Sequence, residues 1–178
     1  NGMRYNLFCG SNDITVANST GALLMMDTGL GKTICILGLY HVRHMKTLVV
    51  VPLSLLDQWK REIATYLPSV TLTECYGRKK NLSGDIVVTT YGTVRTMYQK
   101  NNFLTTFSRV VFDESHTLVN ATSVTARACQ SITAVYRWCL TATAISNNTF
   151  QPLEAQLSVL NVAPFNRASR GRYFAMGG

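Results

Sequence analysis

The chain has 178 residues, of which 47% are hydrophobic and 15% are charged, so its apolar side chains suffice for one sizeable core. This composition excludes that the chain as a whole is a disordered tail or a small disulfide-stapled scaffold. Seventeen lysines and arginines against nine acidic residues give a formal charge of +8, which favours a polyanionic partner, with nucleic acid ahead of a membrane surface.

Short runs rich in valine and isoleucine alternate with segments of helical period. This alternation predicts an α/β fold in which helices cover a mainly parallel sheet. The predicted strands lie at residues 22–26, 47–51, 70–75, 85–89, 108–112 and 137–141. The predicted helices lie at residues 33–44, 54–67, 122–135 and 150–161, and Ser54 is the expected N-cap of the second.

The domain organisation is expected to be simple, because the sequence contains no internal repeat and no low-complexity linker. We predict one domain over residues 1–165, followed by a basic, mobile tail over residues 166–178 that carries three arginines and no acid. Residues 77–84 form a predicted exposed turn with three consecutive basic residues.

The cysteines and the hydropathy pattern bear on the cellular compartment. Five cysteines at positions 9, 35, 75, 129 and 139 are widely scattered and form no C-x-x-C pair, which predicts reduced thiols in an intracellular protein. The apolar run at residues 45–56 is interrupted by Pro52, and no run approaches the ~20 residues needed to span a bilayer. We therefore expect a soluble protein with no membrane partner.

A glycine-rich segment between the first predicted strand and helix has the setting of a phosphate-binding loop. Its residues are Thr28, Gly29, Leu30, Gly31, Lys32 and Thr33. The two glycines let backbone N–H groups close on phosphates, while Lys32 reaches the β- and γ-phosphates and the Thr33 hydroxyl holds Mg²⁺. Met26 stands where the strict G-x-x-x-x-G-K-[ST] pattern has its first glycine, so the segment taken alone also fits an ordinary glycine turn.

A later apolar strand ends in two adjacent carboxylates, Asp113 and Glu114. Open α/β sheets place their ligand chemistry at such strand ends. Asp113 is expected to orient Mg²⁺ and Glu114 to polarise an attacking water, which suits phosphoanhydride hydrolysis. Taken alone, the pair also fits a solvated turn, and its interpretation depends on the glycine loop.

Six patterns in chain order are more specific than either motif. They are M-D-T-G-L-G-K-T at 26–33, P-L-S-L-L-D-Q-W at 52–59, T-T-Y at 89–91, D-E-S-H at 113–116, Asn120 with Ser123, and L-T-A-T-A-I-S-N-N at 140–148. They resemble the motifs of superfamily 2 helicase-type ATPases, including the DExH box. The resemblance is strongest to the first RecA-like lobe of the Swi/Snf chromatin-remodelling branch with its DNA-repair members, and it covers nearly the whole chain.

This resemblance implies a three-layer α-β-α RecA-like P-loop domain that binds ATP and Mg²⁺ and works on duplex DNA, with chromatin as a possible setting and the nucleus, or a host nucleus for a viral protein, as the location. The implied catalytic residues are Lys32, Asp113 and Glu114, with Thr33 and Asp113 at the metal. The residues implied to follow the phosphodiester backbone are Pro52, Ser54, Thr89, Thr90 and Tyr91. The residues implied to couple nucleotide state to DNA are His116, Thr141 and Thr143.

The chain also departs from the family pattern. Ala142 and Ala144 replace the glycine and proline of the last motif, and Thr117 and Val119 replace basic residues after the DExH box. Gly2 resembles the glycine of the family's Q-x-x-G, which places the adenine-contacting glutamine before residue 1. The second lobe with its arginine finger is expected to lie outside this chain, so we expect weak nucleotide binding and negligible ATP hydrolysis by the 178 residues alone.

Alternative functions remain open at this stage. The departures favour a degenerate, non-enzymatic lobe that binds DNA or a protein, and Leu-Thr-Ala-Thr at 140–143 is also similar to RNA helicases of the same superfamily. A small-molecule P-loop kinase explains neither the DExH box nor the later motifs. A zinc site at His41, His44 and Cys35 lacks a second ligand pair, and a hydrolase triad at Ser115 lacks a G-x-S-x-G elbow.

Overall fold

The computed structural model describes residues 20–77, 81–102, 106–143, 150–162 and 165. Residues 78–80 of the predicted basic turn, Gly2 and the polar N-terminal stretch, Ala144 with the end of the last motif, and the predicted tail 166–178 lie outside these ranges. The strands are β1 (Gly21–Met25), β2 (Thr47–Val51), β3 (Leu72–Cys75), β4 (Ile86–Thr90), β5 (Phe107–Phe112) and β6 (Ala134–Thr141). The α-helices are α1 (Lys32–Val42), α2 (Leu56–Tyr66), α3 (Tyr91–Gln99), α4 (Val124–Gln130) and α5 (Gln151–Val159).

The six strands form one sheet in the order β1-β6-β5-β2-β4-β3, and every pairing between neighbours is parallel. The carboxyl ends of the strands therefore meet at one edge of the sheet. The register places Met25 beside Thr141 and Val51 beside Thr90 at that edge. The predicted parallel α/β fold is confirmed, and the glycine loop and the paired acids both follow strands that end there.

Helices cover both faces of the sheet, and the alternation along β2 divides the core between them. Val49 and Val51 pack with α1 and α2, whereas Leu48 and Val50 pack with α3, α4 and α5. The strands β2 and β4 are buried along their whole length, as expected for central strands covered on both sides. This confirms the three-layer arrangement.

The structure corrects three of the sequence-based element predictions. Helix α3 was not predicted, because a glycine and several β-branched residues weaken its helical signal. Helix α4 ends at Gln130 rather than at residue 135, and β6 begins at Ala134 because residues 134–141 pair with β5 and β1. Ser54 lies within a 3-10 turn over Leu53–Leu55 and makes no capping hydrogen bond to α2.

Within the described ranges no disulfide forms; Cys75, Cys129 and Cys139 are buried and Cys35 is exposed. Burial raises the pKa of the Cys139 thiol to about 12. A search of the described helices finds none with the length and apolar character required to cross a membrane.

Candidate active site

The glycine loop leaves β1 and ends in the first turn of α1. Gly29 and Gly31 have φ angles of 83° and 89°, a region that costs residues with a Cβ but not glycine. A Cβ added at either glycine would meet no atom within 4 Å, so the backbone conformation rather than space requires glycine. The first N–H groups of α1 precede its first intrahelical bond, which runs from Cys35 N to Gly31 O, and they form an anion-binding end.

Lys32 is the first residue of α1, and only 8% of it is exposed. Its ammonium donates to the Met26 carbonyl at 3.0 Å and to the Asp27 carbonyl at 3.4 Å, so the side chain folds back over the loop. A lysine has three N–H donors, which leaves capacity for a phosphate oxygen. Thr33, the second residue of α1, is half-buried next to it.

Asp113 follows β5 and is held on several sides. The buried Trp59 indole of α2 donates to Asp113 Oδ2 at 2.7 Å, and the Glu114 backbone N–H donates to Oδ1 at 2.9 Å. The Asp113 backbone carbonyl accepts from the Tyr91 hydroxyl at 2.7 Å. Burial raises the pKa of Asp113, and the bonds from Trp59 and the Glu114 N–H oppose that rise. Both carboxylate oxygens thus accept a hydrogen bond from the protein.

Glu114 and His116 form the second part of the acidic motif. Glu114 has φ 46° and ψ 47°, a left-handed conformation that is strained for a residue with a side chain and often occurs at functional sites. His116 Nδ1 lies 3.2 Å from Glu114 Oε2 and 3.0 Å from Thr141 Oγ1. The Thr141 hydroxyl also donates to the Thr143 carbonyl at 2.8 Å. The three residues implied to couple the motifs thus lie in one chain of contacts that begins at Glu114.

One cleft of about 330 Å³ brings the two predicted motifs together. Its lining includes Thr28, Gly29, Gly31, Lys32 and Thr33 from the loop, Asp113 and Glu114 from the acidic motif, and Leu55, Gln58, Glu62 and Tyr66 from the α2 side. Leu30 is exposed beside the loop and does not line the cleft. A magnesium-bound triphosphate requires backbone N–H groups and a cationic side chain for its phosphates, and carboxylates for its metal. The cleft supplies the glycine loop, the N-terminus of α1, the buried Lys32 and two carboxylates, so its residues fit this ligand.

Two surface grooves lie at the carboxyl edge of the sheet, where Pro52 follows β2 and Tyr91 follows β4. The α3 groove, of about 540 Å³, is bordered by Pro52, Tyr76, Thr90, Tyr91 and Arg95. The α4 groove, of about 440 Å³, is bordered by Pro52, Tyr91, Thr117, Asn120 and Ser123.

The residues implied to follow nucleic acid are placed unequally around these grooves. Pro52 and Tyr91 line both, and Thr90 lines the α3 groove. Ser54 is exposed on the 3-10 turn that follows Pro52. Thr89 is not presented to either groove: it is 1% exposed, and its hydroxyl donates to the Cys75 carbonyl at 2.7 Å. Thr90 caps α3 by accepting from the Thr93 N–H at 3.2 Å, so its oxygen already has a structural role.

Sequence reasoning missed the contributions of α2 and α3. Trp59 was not assigned to the site, although a buried indole N–H must find an acceptor, and here that acceptor is Asp113. Gln58 and Glu62 face the cleft four residues apart, where Gln58 Nε2 donates to Glu62 Oε1 at 2.8 Å. Arg95 was not assigned to the nucleic-acid face, because α3 itself was not predicted, and Tyr76, which follows β3, was not assigned to it either.

The sequence did not support two other sites, a zinc site at His41, His44 and Cys35 and a hydrolase triad at Ser115. His44 stacks on Tyr40 with ring centroids 5.3 Å apart, and its ring centroid lies 6.5 Å from that of His41. In the ranges that the structure describes, no three His, Cys, Asp or Glu side chains come together as a metal cluster. Ser115 is fully buried within hydrogen-bonding distance of the Leu140 carbonyl and Gln156 Oε1.

The fold and the cleft define a P-loop α/β domain with a lysine-bearing glycine loop facing paired carboxylates. The family model described as SNF2-related domain matches residues 5–172, and the chain belongs to this family. The resemblance to the Swi/Snf branch of superfamily 2 is therefore confirmed.

The chain is similar to DNA repair proteins of fungi and to a solved archaeal ATPase core. It is 33% identical to DNA repair protein RAD5 of Yarrowia lipolytica, in a match that covers 83% of this chain and 17% of that protein. It is 32% identical to DNA repair protein rad8 of Schizosaccharomyces pombe, with 80% and 16% covered. The Sulfolobus solfataricus SWI2/SNF2 ATPase core in complex with dsDNA matches with a TM-score of 0.70 and 26% identity, over 81% of this chain and 32% of that one. The chain spans about a sixth of the length of these curated relatives.

Proposed function

We propose that this chain is the ATP-binding domain of a DNA-dependent ATPase that couples ATP hydrolysis to movement along duplex DNA. The convergence of the glycine loop and the paired acids on one cleft carries this proposal. Its similarity to DNA repair proteins of eukaryotes supports a nuclear location.

The residues of the cleft have distinct proposed roles. Lys32 and the first N–H groups of α1 bind the phosphates, Thr33 and Asp113 hold Mg²⁺, and Glu114 accepts a proton from the attacking water. When bound, Mg²⁺ neutralises the charge that develops on the phosphate oxygens. Burial of Lys32 strengthens its attraction for phosphate, because little solvent screens it.

The DNA partner is supported by charge and by the grooves. The chain carries a formal charge of +8, and the α3 groove combines the N-terminus of a nine-residue helix with Arg95. N-terminal N–H groups and basic side chains hold phosphate oxygens without reading base sequence. Pro52, Ser54, Thr90 and Tyr91 are the proposed contacts. Thr89 is proposed to act only by holding β4 to the end of β3, since its hydroxyl donates to the Cys75 carbonyl.

We also propose a domain organisation for the whole chain. We assign residues 1–165 to the ATP-binding domain and residues 166–178 to a basic tail that adds electrostatic attraction for DNA. A second lobe is proposed as the partner that completes the ATPase, because the relatives are far longer than the matched region.

Replacing Lys32 with alanine tests the nucleotide site. We expect the Lys32→Ala protein to bind the Mg²⁺ complex of the non-hydrolysable analogue AMP-PNP roughly tenfold or more weakly than wild type, because truncating one member of a buried charge pair costs several kcal/mol. Isothermal titration calorimetry measures the affinity directly.

The matched control is Lys100→Ala, which removes the same charge at the C-terminal end of α3. Lys100 is exposed where α3 ends, and α3 runs back from the carboxyl edge of the sheet. The control is expected to bind like wild type. Equal binding by wild type and Lys32→Ala, or none by either, would contradict a working nucleotide site and favour a degenerate lobe. Preference for RNA over duplex DNA in a parallel titration would favour the RNA helicase alternative.

A further inference from the structure

Tyr91 lies between the two grooves and Asp113, the residue after β5 that is proposed to hold the metal. It is the first residue of α3, and its half-buried ring lines both the α3 groove and the α4 groove. A ligand that follows this edge of the sheet therefore meets Tyr91 from either side. No other residue that lines both grooves, within the described ranges, carries a hydroxyl group.

The hydroxyl of Tyr91 contacts the acidic motif rather than solvent. It donates to the Asp113 backbone carbonyl at 2.7 Å. It thus holds the first residue of the acidic motif. Burial raises the pKa of the Tyr91 phenol well above its ordinary value, so the group remains a donor at neutral pH.

Tyr91 contacts the peptide unit between Asp113 and Glu114, and this unit orients both carboxylates. The Asp113 carbonyl belongs to the peptide unit whose N–H, from Glu114, donates to Asp113 Oδ1 at 2.9 Å. The same unit leads into the left-handed conformation of Glu114. Rotation of this peptide would move the carboxylate of Asp113 and the direction of Glu114 together.

We infer that Tyr91 is a positioning residue that links nucleic acid in the grooves to the orientation of Asp113. Nucleic acid in either groove restricts Tyr91 to the rotamer whose hydroxyl reaches Asp113, and that rotamer fixes the carboxylates where a magnesium-bound triphosphate needs them. This route is separate from the contacts of His116 with Thr141, which leave the motif on its β6 side. The inference rests on the proposed function.

Thermodynamic linkage makes the inference measurable without turnover. If both ligands favour the same Tyr91 rotamer, each must raise the affinity of the other by the same factor. We expect the wild-type chain to bind Mg²⁺–AMP-PNP about fivefold more tightly when a short blunt-ended DNA duplex is present at saturation.

The decisive variant is Tyr91→Phe, which removes the hydroxyl and keeps the ring in both grooves. Its affinities for the duplex alone and for Mg²⁺–AMP-PNP alone are measured first, and the factor by which each ligand raises the affinity of the other is expected to fall to about one. Tyr98→Phe, a half-buried tyrosine on the same helix, is the matched control and is expected to keep the wild-type factor. Thermal melting verifies that each variant is folded.

The possible results separate this inference from the proposed function. An undiminished factor in a folded Tyr91→Phe protein overturns the inference and leaves the nucleotide site standing. A wild-type factor of one, with both ligands bound, does the same. Loss of binding of either single ligand in Tyr91→Phe would mean that the hydroxyl only maintains the fold, which also overturns it. Absence of nucleotide binding by wild type defeats the proposed function first, and the inference with it.

Discussion

Two buried arginines on neighbouring strands show how differently the same residue type is accommodated. Arg137 on β6 donates to the carbonyls of Cys129, Ile132 and Val159, at the C-terminal ends of α4 and α5. A cation at two helix C-termini is favourable because of the helix dipoles. Arg109 on β5 donates to the Arg43 carbonyl, but among the described residues its Nε and Nη1 atoms have no hydrogen-bond partner. Burial lowers the pKa of both guanidinium groups.

This contrast predicts opposite effects of the same substitution. Arg137→Met leaves three buried carbonyls without their donor and is expected to lower the free energy of unfolding by about 2–4 kcal/mol. Arg109→Met removes a poorly satisfied buried charge and keeps much of the side-chain volume, so it is expected to be neutral or to stabilise by ~1 kcal/mol. Urea unfolding of both variants measures the difference. Equal losses in the two proteins would contradict this account.

At the residue scale, the sequence predicted the groups that would hold phosphate and metal but not the groups that hold them in place. Lys32, Thr33, Asp113 and Glu114 belong to local patterns whose chemistry can be read directly. Trp59 reaches Asp113 across 54 positions of sequence, and no local pattern reports such a contact. Its indole N–H gave the one available signal, because a buried donor needs an acceptor.

At the scale of elements, the N-termini of α3 and α4 are capped by hydroxyl side chains. The hydroxyl of Thr90 accepts from the Thr93 N–H, and the Ser123 hydroxyl accepts from the Ala126 N–H at 3.1 Å. Both are N-caps of helices that the sequence analysis missed or misjudged in length. Ser54, which was predicted to be a cap, makes no such bond, because the chain enters α2 through a 3-10 turn.

Alanine substitution at these three positions distinguishes caps from bystanders. Thr90→Ala and Ser123→Ala are each expected to lower the free energy of unfolding by about 1 kcal/mol, the usual cost of losing an N-cap. Ser54→Ala is expected to change it by less than about 0.5 kcal/mol, since the side chain is exposed. Thermal denaturation monitored by circular dichroism measures all three. A loss at position 54 as large as the other two would show that the sequence-based prediction of a cap was right.

The alternation of strands and helices was predictable because parallel strands buried on both faces consist of short runs of valine and isoleucine. The start of β6 was not predictable, because it is decided by tertiary pairing. Residues 134–136 extend β6 where β5 lies alongside, and Thr133, whose carbonyl accepts from the Phe107 N–H, precedes them. Local propensity carries no information on such a partner.

At the scale of the whole molecule, the positive charge predicts the character of DNA binding. Neutralising phosphates releases bound counterions, so the affinity is expected to fall steeply as salt increases. Arg95→Ala, in the α3 groove, is expected to reduce the slope of log affinity against log salt by about one. Arg61→Ala, which removes the same charge from the exposed surface of α2, serves as the control and should leave the slope closer to wild type. Filter binding of a duplex at several salt concentrations measures both. Equal slopes for wild type and Arg95→Ala would remove Arg95 from the DNA contact.

The bond from the Trp59 indole to Asp113 has an optical consequence. The chain contains two tryptophans, Trp59 and Trp138. Replacing the half-buried Trp138 with phenylalanine would leave a single indole, hydrogen-bonded directly to the carboxylate that is proposed to hold the cation. Binding of the cation withdraws electron density from that carboxylate, so the emission wavelength of Trp59 should shift when the cation binds. The protein thus carries an intrinsic fluorophore with which loading of its own site can be timed in a stopped-flow instrument, without any attached dye.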